Sequence, residues 1–398
     1  MRVGFSDAAH PKKYDMNDAS APDRSGRKRD FRVDALRGLA LLMIFVDHIP
    51  SNFIGYLTLR NYSLSDAAEV FVLLAGFSSM LAYGGAFERG GVISGMRRVL
   101  KRVLTLYLSQ VGLLLATLVI VRLWTVHFKL EPRIVGPLLR DGIGGVVRGI
   151  TLEALPSYLD ILPLYLALIG IFPLIYLGLR ASIVATLCIS AAIWAVGNFF
   201  QMNLPNFVAP EAASTWYFNP LAWQFIFVCG AVIAMVHRRT GGTGLPRSPA
   251  VIAICCLYLL FAAFVVASWR GWTFLDPDAF SIEVFDNDEK TYLSPWRIVN
   301  VLALVYVILT SDALRRAAES RWLHPLVLCG RHSLVIFSAG TLLALAGRLT
   351  FRTFGTGLPV QSLVNGIGLA SLIGIAIVLD AYSRRKKARM IAGDSNRP

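Results

Sequence analysis

The stretch RVDALRGLALLMIFVDHIPSN, residues 32–52, is apolar enough to lie in a bilayer, yet it carries Arg37 and His48. An ionisable group in hydrocarbon is costly and marks a functional position by default. Wound as a helix, the stretch sets the two residues roughly three turns apart on nearly the same face. Asp34 shares that face, one turn before Arg37. A span with such a polar stripe turns it away from lipid. It reads as chemistry or transport inside a membrane rather than as an anchor.

The rest of the chain extends that reading. Its 398 residues are 55% hydrophobic with a mean hydropathy of +0.58, which excludes an ordinary soluble domain. Runs of about 18 to 22 apolar residues, the length that crosses a hydrocarbon core as a helix, recur about ten times. They centre on 36–53, 66–86, 103–123, 158–178, 181–199, 217–236, 249–269, 297–311, 332–347 and 361–382. The expected fold is all-α: a polytopic integral membrane protein of about ten transmembrane helices, with both termini in the cytosol. Residues 1–30 read as a disordered basic cytosolic tail without a signal-peptide core. Residues 31–383 form one membrane domain, and 384–398 a second basic tail.

A net charge of +14 would point to nucleic acid in a soluble protein. Here its distribution points to membrane topology, and no nucleic-acid partner is expected. Basic residues cluster in alternate connections: Arg27, Lys28, Arg29 and Arg32; Arg97, Arg98, Lys101 and Arg102; Arg238, Arg239 and Arg247; Arg315, Arg316 and Arg321; then Arg384, Arg385, Lys386, Lys387 and Arg389. Between them, 200–216 holds no Lys or Arg, and 271–289 is mostly acidic. This is the positive-inside pattern. The 124–157 connection departs from it with Lys129, Arg133, Arg140 and Arg148. Cys188, Cys229, Cys255, Cys256 and Cys329 sit in or beside apolar runs without metal-ligand spacing, so no metal site is expected.

Depth sorts the polar groups. From a start near Asp34, His48 lies about 21 Å along the helix, in the outer third of the bilayer. The second span runs back inward from Asp66, so Asp66 and Glu69 share that level, and Asp160 enters it at the start of the fourth. A carboxylate beside an imidazole fixes its tautomer and raises its basicity, which suits a general base. The catalytic candidates are therefore His48, Glu69 and Asp160, against the alternative that His48 is only an interhelical hydrogen-bonder. Asp47 points about 100° away from His48 and is expected to serve another helix contact. On the inner side, Arg98, Lys101 and Arg102 suit lipid phosphates, the topology rule or an anionic nucleotide-type ligand. The outer aromatics Trp216, Tyr217, Trp272, Tyr292 and Trp296 suit either an interfacial belt or stacking on a sugar ring.

Arg37 and His48 with ten residues between them, followed by EVFVLLAGF (69–77) and RRVLKRVLTLY (97–107), resemble the acyltransferase-3 superfamily of membrane acyltransferases. More closely, the opening stretch, LTLRNYSLSDAAEVFVLLAGFSS (57–79), YLDILPLYLAL (158–168), WYFNPLAWQFIFVCGA (216–231), DEKTYLSPWR (288–297) and GRHSLVIFSAGTL (330–342) resemble the OpgC family, which succinylates osmoregulated periplasmic glucans. At Ala75 the chain departs from the superfamily, which has Ser before the Gly-aromatic pair.

The resemblance implies a multi-pass protein of the bacterial inner membrane, in contact with membrane lipid. It implies His48 as catalytic base, Arg37 on the donor side, a cytosolic acyl-CoA as co-substrate and a periplasmic glucan hydroxyl as acceptor. No tightly bound cofactor is implied. Arg98, Lys101 and Arg102 would take the CoA phosphates. Arg60, Asp66, Trp216, Tyr217, Trp296 and Arg297 would face the acceptor. A succinyl rather than acetyl group needs a cation for its far carboxylate, and Arg37, Arg60 and Arg297 are available. The competing expectation is a transporter or flippase for a polar or sugar-bearing molecule, which needs intramembrane charges equally.

Overall fold

The computed structural model describes residues 30–131, 134–208, 214–240, 245–273 and 290–394. The expected tail at 1–29 with its Arg27, Lys28 and Arg29, Arg133, and most of the acidic 271–289 segment lie outside the described residues.

Helix α1 (Phe31–Asp47) starts where the Asp30 side chain accepts from the Arg32 backbone N–H, and it stops at His48. Pro50 lies just beyond and cannot continue a helix. Two short 3-10 turns, Phe53–Leu57 and Leu59–Asn61, lead to α2 (Ala67–Phe128). Asp66 and Glu69 open α2 as a reciprocal capping box. At 62 residues α2 would be roughly 93 Å long, about three times a hydrocarbon core. It breaks at Gly91, whose φ of 70° is open to glycine and strained for most other residues.

The chain continues through α3 (Gly136–Arg140), α4 (Gly142–Ile150), α5 (Ile161–Ala181) and α6 (Ile183–Phe199). A two-residue antiparallel pair, β1 (Pro205–Asn206) with β2 (Ser214–Thr215), precedes α7 (Pro220–Arg239). Then come α8 (Pro249–Trp269), α9 (Pro295–Thr310), α10 (Asp312–Ala318), α11 (His324–Arg331), α12 (Ser333–Phe354) and α13 (Leu358–Asp394). Six helices (α2, α5, α7, α8, α12 and α13) have the length and hydropathy to cross a membrane, and α9 with α10, bent by 77°, makes up to seven. The molecule is thus an all-α multi-pass membrane protein. Each apolar run read from the sequence coincides with helix over most of its length. The first ends at Asp47, and the second and third are the two arms of α2.

Glycine contacts set the closest approaches. A Cβ on Gly76 of α2 would lie 1.8 Å from the Phe227 carbonyl oxygen of α7, and one on Gly230 would lie 1.9 Å from that of Leu73. Gly38 and Gly330 repeat this reciprocal pattern between α1 and α11, each 1.9 Å from the other helix's backbone oxygen. Small residues let backbones meet where lipid supplies no hydrophobic drive for helix pairing. Gly76→Val should therefore part α2 from α7, costing about 3 kcal/mol or more by overpacking. Thermal unfolding in lipid nanodiscs checks this; an unchanged midpoint would contradict the contact.

Candidate functional site

Several element ends meet at one end of the bundle. The C-terminus of α1 brings His48, the N-terminus of α2 brings Asp66, and that of α5 brings Asp160. The segments before α7 and α9 add Tyr217 and Lys290. Together they line one cavity of about 850 Å³, with Phe337, Ala67 and Ile161 as part of its apolar wall. The common level expected for His48, Asp66 and Asp160 is thus a shared cavity.

His48 caps α1, its N–H donating to Ile44 O at 3.0 Å. Its ring packs edge-on against Tyr158, centroids 5.1 Å apart at 79°. The Arg348 guanidinium carbon stands 4.0 Å over the Tyr158 ring, and Arg348 Nη1 donates to His48 O at 2.7 Å. Tyr158 has φ of 71°, a backbone conformation costing a bulky residue on the order of 1–3 kcal/mol. Its contacts with the His48 ring and the Arg348 guanidinium hold it there. Among the described residues no carboxylate hydrogen-bonds the His48 ring. The carboxylates sharing its cavity are Asp47, Asp66 and Asp160.

Asp47 serves a contact with the 3-10 turns, as expected of it, and it also lines the His48 cavity. Its carboxylate accepts from Thr58 Oγ1 at 2.7 Å and lies 3.5 Å from Arg60 Nε. Glu69 is fully buried yet turned from His48. It accepts from the Asp66 N–H at 2.9 Å and from Arg297 Nε at 2.6 Å. Capping α2 and neutralising Arg297 occupy both its oxygens.

Asp66 completes this network, accepting from Lys290 Nζ at 2.5 Å and lying 3.5 Å from Arg297 Nη2. Burial alone would lower the Lys290 ammonium, but Asp66 and Glu69 outweigh it and hold it above the usual lysine range. Arg297, expected to face the acceptor, is thus tied to two carboxylates. Arg60 remains at the cavity, its side chain 49% exposed. Asp160 also lines the cavity and makes no side-chain capping bond to α5.

Of the aromatic candidates, Tyr217 lines the cavity and Trp216 and Trp296 do not. Trp216 belongs to the loop, its backbone bonded to Leu204 and Asn203. Trp296 packs on the cluster of Leu64, Ala262, Val265 and Val266. Near Arg60, exposed Trp272 lies 6.1 Å from Tyr56 and 5.8 Å from Tyr62, a tilted aromatic surface.

Arg37 stands apart from this cavity. Its guanidinium lies 3.7 Å from Asp34 and donates to Leu74 O at 3.2 Å and to Ser78 Oγ. Ser78, three residues past Ala75, supplies a hydroxyl that Ala75 lacks. Phe71 lies 5.3 Å from Tyr165 and 6.0 Å from Phe337, which lines the cavity. Arg98 and Lys101 are exposed beyond the Gly91 break and Arg102 is half-buried, none of them in the His48 cavity.

Tyr158, Lys290 and Arg348 were not singled out from sequence. Arg348 was within reach of the rule that found Arg37, since it too is an arginine near an apolar run. Tyr158 lies two residues before Asp160, and nothing in its spacing signals a left-handed backbone.

A family model described as OpgC protein matches residues 29–384, nearly the whole chain. No curated protein and no solved structure matches it.

Proposed function

The chain belongs to the OpgC protein family, and on that footing we propose that it is a succinyltransferase moving the acyl group of cytosolic succinyl-CoA to a hydroxyl of a periplasmic glucan. The family is one of membrane acyltransferases acting on glucans. The observation that carries the finer reading is His48 in a cavity of about 850 Å³ that holds three carboxylates and an aromatic wall.

In this reading the chain crosses the inner membrane about ten times, with both ends in the cytosol and the cavity facing the periplasm. A glucan hydroxyl enters beside Arg60 and Tyr217. The neutral His48 imidazole takes the hydroxyl proton as the oxygen attacks the thioester carbonyl. The tetrahedral intermediate then collapses, the C–S bond breaks, and the imidazolium returns the proton to the leaving thiolate. Arg98, Lys101 and Arg102 hold the CoA phosphates, and Arg37 guides the pantetheine arm.

Mass spectrometry of periplasmic glucans from cells with and without the gene tests the assignment. Succinyl substituents should vanish on deletion while glucan levels persist. Glucans unchanged in substitution would sink acyl transfer, and loss of acetyl groups instead would replace succinyl as the donor.

A further inference from the structure

Charge pairing occupies several of the cations around the His48 cavity. Arg60 is met by Asp47, Lys290 by Asp66, and Arg297 by Glu69 and Asp66. Arg348 and Arg352 of α12 have no carboxylate within ion-pair distance among the described residues. Arg348 donates to His48 O and Arg352 Nη1 to Glu131 O, both backbone carbonyls. Arg348 Nε is buried without a hydrogen-bond partner. A buried guanidinium nitrogen left unbonded costs free energy.

The two arginines line a second cavity of about 410 Å³. Among the described residues no acidic residue lines it, whereas Ser51, Thr125 and Thr356 do. Pro50, Ser51 and Ile134 belong to both cavities, so the two adjoin directly beside His48.

We propose that this second cavity is a carboxylate subsite of the acyl-transfer site, in which Arg348, assisted by Arg352, binds the free acid end of a dicarboxylic acyl chain. The inference rests on the acyl-transfer reading and names the residue that selects its donor. In a four-carbon chain the far carboxylate lies roughly 4 Å from the thioester carbon. Arg348 touches the backbone of His48 itself, so a chain with its carbonyl at the imidazole has its acid end within reach of the guanidinium. The cations weighed from sequence for this task, Arg37 and Arg297, are neutralised within the protein, and Arg60 is half-exposed beside Asp47. A planar guanidinium meets a carboxylate through two parallel hydrogen bonds, which a neutral methyl end cannot supply.

The test compares succinyl-CoA with butyryl-CoA, which has the same chain length but an uncharged end. Binding is measured by competition on the full-length protein in nanodiscs without glucan. The wild type should prefer succinyl-CoA at least about tenfold, the value of one charge-assisted contact of ordinary strength. Arg348→Met should shrink that preference to about twofold with butyryl-CoA affinity unchanged, which also shows that the variant is folded. Arg348→Lys should fall between, and Arg352→Met should reduce the preference less.

A wild type without the preference overturns the subsite. So does a variant that retains it, or one that weakens both donors equally, since Arg348 would then only cap α1. Dependence on Arg348 confined to an anionic glucan acceptor also overturns it. Transfer to glucan, followed in parallel, separates the two readings. An Arg348-dependent preference without transfer leaves the subsite and removes the acyltransferase; transfer without preference does the reverse.

Discussion

Replacing His48 with Ala should lower acyl transfer to glucan about a thousandfold, with protein level and helix content unchanged. The size follows from the role. General base catalysis by a positioned side chain contributes about 10²–10⁴-fold. The protein should still fold, because the His48 ring meets Tyr158 edge-on and, among the described residues, makes no side-chain hydrogen bond that anchors another helix. Its backbone carbonyl, which Arg348 holds, is kept in the variant. Single-turnover transfer from succinyl-CoA, with circular dichroism as the folding control, checks the expectation. Wild-type transfer in His48→Ala would remove the mechanism, whatever the family.

The fold was legible from sequence wherever physics is one-dimensional. Length and hydropathy located the apolar helices, and the polar stripe from Asp34 to His48 marked α1 as more than an anchor. Depth arithmetic brought His48, Asp66 and Asp160 together because helices rise by a fixed step, so residues near ends of antiparallel spans share a level. What remained hidden depends on rotation about each helix and on loop backbone. Glu69 shares a face with Asp66 and was placed with His48, but a capping box and Arg297 claim it. Asp47 keeps the separate contact expected of it, with Thr58 and Arg60, and lines the cavity too because α1 ends there. Tyr158 reaches His48 only through a positive φ, and Arg348 only because α12 crosses the end of α1. Pairing among charges, which decides that Arg297 is occupied and Arg348 free for a ligand, is a property of three dimensions alone.

Arg297→Met should destabilise the protein by about 3–5 kcal/mol, the cost of stranding one partner of a buried ion pair. Glu69 is fully buried, and Arg297 Nε lies 2.6 Å from it. Without the guanidinium its carboxylate keeps only the Asp66 N–H, while Asp66 itself remains paired with Lys290. Glu69→Gln in the same background should restore most of the loss, because the amide oxygen still accepts from the Asp66 N–H and no charge is left unmatched. The pair of variants also decides what Glu69 is for. If its work is structural, the double variant recovers transfer together with thermal stability. If Glu69 served His48 as a catalytic partner, stability would return and transfer would not. Thermal unfolding and transfer rates of the wild type and both variants in nanodiscs read the two outcomes side by side. An Arg297→Met protein as stable as the wild type would refute the buried network. The capping box favours the structural outcome: Glu69 must stay at the first turn of α2 to fix where that helix begins, and that start is what carries Asp66 into the cavity with His48.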